Sequence, residues 1–124
     1  MKIETIYLIE QSGFVNSIKE WAEEKKINVV SIDGKSEDLA DIIDGVVLFH
    51  ENHNFTKEDE EVFNFLVNNN RPGHRVDING TLAATNSNFT MWLDRNRTKR
   101  LLMLGSGEIV KNVNLKRFLD NLKG

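Results

Sequence analysis

Three features of the sequence predict an α/β domain with a three-layer α/β/α architecture around a five-stranded parallel sheet. There are five short apolar runs, each is followed by a segment with helical spacing, and most of the runs are apolar at every position. The runs are Ile6 to Ile9, Ile27 to Ile32, Val46 to Phe49, Val76 to Ile78 and Leu101 to Leu104. A strand without alternation needs cover on both faces, and parallel sheets obtain that cover from their crossover helices. With 124 residues, 40% of them hydrophobic and 28% charged, the chain suits a single domain over 1–124, large enough to bury a core without disulfides or metal staples.

The helical segments follow from their stripes. After the first strand, Phe14, Ile18, Trp21 and Ala22 share one face, with Lys19, Glu20, Glu23, Glu24 and Lys26 mostly on the other. Leu39, Ile42 and Ile43 form a shorter stripe, which Gly45 is expected to close in a left-handed conformation. Thr56 followed by Asp59 is a capping-box-like start, and Glu58 to Glu61 put negative charge at the positive end of that helix dipole. Its buried face is Val62, Phe63, Leu66 and Val67, and Asn68 to Gly73 end it. Leu82, Phe89, Trp92 and Leu93 fit one long helix, which Asn86-Ser87-Asn88 could interrupt. The last helix begins near Asn114, with Leu115, Phe118, Leu119 and Leu122 on one side. Right-handed crossovers leave few topologies, of which the doubly wound, flavodoxin-like (Rossmann-like) order 2-1-3-4-5 is the expectation.

One strand is odd. Arg75-Val76-Asp77-Ile78 alternates where the others are apolar, so either it lies at an edge or has one wet face, or Asp77 enters a functional cleft.

Composition excludes several classes. A net charge of -3 opposes binding driven by phosphate counterion release, so no nucleic-acid partner is expected. The one basic cluster, Arg95, Arg97, Lys99 and Arg100, reads as cations complementing a helix C-terminus. No cysteine is present, which removes thiolate zinc sites and Cys nucleophiles. The start of the chain is too charged for a signal peptide and no apolar run spans a bilayer, so a cytoplasmic protein without a membrane partner is expected.

In an open parallel sheet, ligands bind beyond the carboxyl ends of the strands, here expected between the first and third strands. The loops there carry Gln11, Ser12 and Gly13 after strand one, His50, Glu51 and His53 after strand three, Asn79, Gly80 and Thr81 after strand four, and Ser106, Gly107 and Glu108 after strand five. Glycines in these turns would bring backbone N–H groups close to an anion. His50 and His53, three apart on a loop, are weak metal candidates, because that spacing does not fix geometry as it would on a helix.

Family motifs give no recognition. A response-regulator receiver needs an acidic pair after strand one, an acceptor Asp after strand three and a Lys after strand five, where this chain has Glu10-Gln11, His50 and Gly105-Ser106. Class I glutamine amidotransferases need the missing Cys, and Ser12-Gly13 with Ser17 is too sparse for a flavodoxin phosphate loop. Asp77-Ile78-Asn79-Gly80-Thr81 resembles nucleoside deoxyribosyltransferases, whose nucleophilic Glu in the next helix has no clear counterpart.

Three functions fit. The first is binding of a small polar or anionic ligand at the carboxyl edge by Gln11, Ser12, Gly13, His50, Glu51, Asn79, Gly80, Thr81, Ser106 and Gly107. The second is a hydrolase or transferase with His50 or Glu51 as base and Asp77 or Glu108 as the second carboxylate. The third is an interaction module whose helix faces make a homo-oligomer or partner surface. No cofactor is indicated by any pattern.

Overall fold

The computed structural model describes residues 3–9, 14–32 and 38–122. Strands and helices alternate as β1 (Thr5–Ile9), α1 (Val15–Glu24), β2 (Asn28–Ile32), α2 (Leu39–Ile42), β3 (Gly45–His50), α3 (Lys57–Asn68), β4 (Gly73–Asp77), α4 (Leu82–Asn96), β5 (Arg100–Leu104), a 3-10 turn (Gly107–Lys111) and α5 (Val113–Asp120). All strand pairs are parallel. Among the described residues no helix is long and apolar enough to cross a membrane.

The order of the five strands is 2-1-5-3-4, which corrects the expected 2-1-3-4-5. Burial explains the difference. Leu101 to Leu104 are buried without exception, so β5 suits the centre, between β1 and β3. Strand β4, with His74, Arg75 and Asp77, takes an edge, where polar side chains stay partly wet. The edge reading of the Arg75–Asp77 alternation therefore holds. The expected crevice between strands one and three does not exist as such, because β5 fills that place.

Helices cover both faces. Side chains of α1, α4 and α5 join one apolar cluster, and those of α2 and α3 join the other. Connections running one way along the sheet use the first face and those running the other way use the second, as uniform crossover handedness requires. The first cluster centres on Phe49, whose ring lies 5.6 Å from Phe14, 5.6 Å from Phe118 and 6.3 Å from Phe89.

Local details also depart from expectation. Helix α2 has a single turn and ends at Ile43 in extended conformation, and Gly45 is the first residue of β3 rather than a left-handed stop. Glycine is needed there for space, because a Cβ would lie 2.8 Å from Thr98 Cγ2. Helix α4 is continuous, and Asn86 donates its Nδ2–H to the Phe118 carbonyl (3.2 Å) instead of breaking it. Arg97 ends α4 in the left-handed region (φ 51°), while Arg100 pairs with Asp44 at 3.7 Å. The start of α3 is as expected: the Asp59 N–H donates to Thr56 Oγ1 (3.1 Å).

Two predictions follow from this packing. Phe49→Ala should lower unfolding free energy by about 3–5 kcal/mol in urea titrations, since it empties the centre of the aromatic cluster. Asp59 is buried, and burial pushes its carboxyl up to about 6. The folded state thus holds a proton that the unfolded state releases, and stability falls as pH rises from 3.8 through about 6. Asp59→Asn should be more stable than wild type above that window, by up to about 3 kcal/mol, with the advantage disappearing below it.

Candidate functional site

Strand β3 is buried along its whole length, and its last residue, His50, is the first polar side chain it presents. His50 is only 4% exposed. Beyond it the chain folds back sharply, with Asn52 (φ 52°) and His53 (φ 68°) in succession in the left-handed region. Asparagine tolerates that region better than most residues, which makes the turn affordable at that position. The Asn54 N–H closes the turn on the Glu51 carbonyl at 2.9 Å.

The turn returns a backbone group to His50. The His53 N–H donates to His50 Nδ1 (3.0 Å), and the two imidazoles stack with centroids 5.1 Å apart. An Nδ1 that accepts a hydrogen bond leaves the proton on Nε2, so neutral His50 is a donor there. Burial holds its pKa below the usual histidine value; Asp77 pulls the other way, and His53 and Arg75 add to the lowering. The Arg75 guanidinium lies over the rings of Phe55 (5.3 Å) and Phe63 (4.9 Å), so its charge rests on aromatic faces.

Asp77 ends β4 in register with His50. Its Oδ1 accepts from the N–H groups of Asn79 (3.0 Å) and Asn52 (3.3 Å), tying the loops after β3 and β4 together. Asn79 extends the tie: its Nδ2 donates to Glu51 Oε1 (3.1 Å), and its Oδ1 accepts from Asn112 Nδ2 (2.8 Å). Asn112 caps α5 by accepting from the Asn114 N–H (2.9 Å). A continuous chain thus joins Glu51, Asn79 and Asn112 across the ends of three elements.

Of the sequence-derived candidates, His50, Glu51, His53, Asp77 and Asn79 come together. Gly80 and Thr81 follow directly, the Gly80 N–H donating to the Asp77 carbonyl (3.1 Å) and Thr81 sitting at the start of α4 without a side-chain cap. Glu108 is separate, with its carboxylate on the surface 3.9 Å from Lys111, and Ser106 and Gly107 lead into its 3-10 turn. Gln11, Ser12 and Gly13 lie outside the described residues. No side-chain hydrogen bond couples any two of His50, Glu51, Asp77 and Glu108. Among the described residues no group of three His, Asp or Glu side chains is placed to hold a metal ion.

Sequence reasoning missed Asn112 and Asn52. An Asn two residues before Asn114 is an ordinary N-cap signal that would have moved the helix start. His74 was also missed. It stacks on Trp92 (5.4 Å) and Phe89 (5.9 Å), and burial lowers its pKa.

The chain matches no family model and no curated protein. Its fold is similar to that of a crystal structure from Syntrophus aciditrophicus SB, of a protein described as a molybdenum carrier. The TM-score is 0.72 over 97% of this chain and 92% of that one, with 11% identical residues. The architecture is thus shared and belongs to the parallel-sheet α/β class.

The lowered pKa of His50 has a measurable sign. The unfolded chain takes up a proton near pH 6.5 that the folded state resists, so the contribution of neutral His50 is full above that pH and is lost as pH falls below it. His50→Gln should therefore lose less stability on acidification than wild type. Parallel urea curves for the two proteins between about pH 7.5 and 5 check this, and equal pH slopes would contradict it.

Proposed function

We propose that this chain is a non-catalytic binding domain for a small polar ligand, with an oxyanion as the leading class, taken up at the carboxyl edge beside β3. The observation that carries this reading is the chain of hydrogen bonds through Glu51, Asn79 and Asn112, which holds the ends of three elements around one edge.

Topology supports the location. The chain leaves β3 toward the α2 and α3 face, whereas it leaves β4 and β5 toward the other face. Loops that diverge in this way open a crevice at the strand ends, and ligands of open α/β sheets lodge there. Donors are available at the edge. The first N–H groups of α4, at Leu82, Ala83 and Ala84, have no partner among the described residues, and no side chain caps them. His50, at the end of β3, holds its neutral donor on the α2 and α3 side of the sheet, beside Phe55.

Two carboxylates stand close by, and both are engaged by donors. Asp77 is occupied by two backbone N–H groups, which offset part of its charge, and Glu51 accepts from Asn79. The description of the structural neighbour as a molybdenum carrier adds support for an anion, since molybdenum in aerated water is the oxyanion molybdate. For an enzyme, the engaged Nδ1 of His50 is unfavourable, because it commits the ring to donating rather than removing a proton.

Calorimetric titration with molybdate, tungstate, phosphate and sulfate tests the proposal. At least one should bind with unit stoichiometry, and Asn79→Ala should weaken it at least about tenfold by releasing the loops. No heat from any of the four at millimolar concentration would sink the oxyanion reading.

A further inference from the structure

The asparagine at the centre of the carboxyl-edge network stands in a local sequence that no other asparagine of the chain shares: only Asn79 is followed by glycine. At such a pair the Gly80 amide nitrogen can approach Asn79 Cγ with no Cβ in its way. More than half of the other asparagines lie within helices or in β2, where the backbone is held in a hydrogen-bonded ladder. Asn79 and Gly80 instead occupy the exposed turn between β4 and α4, open to water.

Two hydrogen bonds hold the Asn79 amide, with Nδ2 donating to Glu51 Oε1 (3.1 Å) and Oδ1 accepting from Asn112 Nδ2 (2.8 Å). Both are exposed, so water competes for them and they open locally without unfolding the domain. The Gly80 N–H is held by one turn bond, to the Asp77 carbonyl (3.1 Å). The backbone does not require glycine at this place, since Gly80 has no positive φ. A Cβ there would lie 3.1 Å from Thr85 Oγ1 and 3.3 Å from the Asp77 carbonyl oxygen, so alanine fits after small shifts.

We propose that Asn79 is a site of spontaneous deamidation, and that the modification cuts one arm of the carboxyl-edge network. When the turn opens, the Gly80 nitrogen gives its proton to hydroxide or water and bonds to Asn79 Cγ. Nδ2 takes up a proton and leaves as ammonia, closing a five-membered succinimide. Water then opens the ring at one of its two carbonyls. One cleavage leaves an aspartyl residue at position 79, and the other an isoaspartyl residue whose main chain runs through Cγ. The sum is amide and water to carboxylate and ammonium, with no redox change. The product lacks the N–H that Glu51 accepts and sets a second carboxylate against it, and like charges at hydrogen-bond distance repel. The Asn112 arm survives, because its Nδ2 donates to a carboxylate as readily as to an amide oxygen. Modification thus frees the loop after β3 from Asn79 while α5 stays attached. Where the edge takes an oxyanion, which rests on the reading above, the added negative charge also lowers affinity.

Peptide mapping by mass spectrometry, on the full chain incubated at about pH 8, tests the proposal. Position 79 should turn acidic before any other asparagine, in both aspartyl and isoaspartyl forms, and faster as pH rises. Gly80→Ala should slow the conversion at least about tenfold, and Asn112→Ala, which frees Oδ1, should speed it at least about twofold. A position 79 that keeps its amide throughout, a product without isoaspartate, or a Gly80→Ala chain converting at the wild-type rate would each overturn the proposal. Asn79→Asp reports the consequence for the network. It should be less stable than wild type at neutral pH and regain stability as pH falls through the carboxylate range, because a carboxyl held up by a like charge favours the folded state only when protonated. Stability equal to wild type at neutral pH would overturn the link to the network. The mapping uses no ligand, so a failure of the oxyanion titrations leaves its result intact.

Discussion

Everything at the carboxyl edge depends on the burial of β3. A strand enclosed by helices on both faces and by strands on both sides has no place for a polar group along its length, and Gly45 to Phe49 meet that demand. His50 comes at the point where enclosure ends. Its imidazole is still buried, so its Nδ1 needs a donor, and the chain leaving the strand supplies one from the His53 N–H. The left-handed pair Asn52 and His53 turns that chain back, and the turn in turn offers the Asn52 N–H to Asp77. The conformation of the loop is thus a consequence of satisfying one buried nitrogen.

The elements themselves were largely legible in the sequence, because β1, β3 and β5 are short apolar runs and the helices carry stripes of 3.6-residue period. Their order was not, although part of the information was present. His74, Arg75 and Asp77 mark β4 as the strand least able to be enclosed, and Leu101 to Leu104 mark β5 as the one most in need of it. The lengths of the connections did not decide the order, since helical crossovers here pass over two strands between β2 and β3 and over one between β4 and β5.

At the candidate site, the residues near strand ends were found and their partners were not. A strand's end predicts where His50, Asp77 and Asn79 fall, but it does not say which oxygen an amide will meet. Asn112 joins the network only because the 3-10 turn sets the start of α5 beside Asn79, a placement that depends on tertiary packing. Asn52 was invisible for a similar reason: its role is carried by its backbone N–H and positive φ, which leave no pattern of side-chain types.

The central place of β5 also shapes how the chain can acquire its structure. Within the sheet β1 pairs with β2, and β3 pairs with β4, but neither pair is hydrogen-bonded to the other; the ladder joins them through β5. On a ribosome, the two halves emerge first and wait, each with an open side where Leu101 to Leu104 will lie. The sheet closes when the fifth strand arrives between partners laid down earlier along the chain, β1 by roughly 310–340 Å of extended chain and β3 by roughly 180–200 Å. Assembly is therefore completed only after both pairs have been made, by a long-range step of the kind that slows folding, and the two unfilled edges are what a nascent chain must keep from pairing with its neighbours.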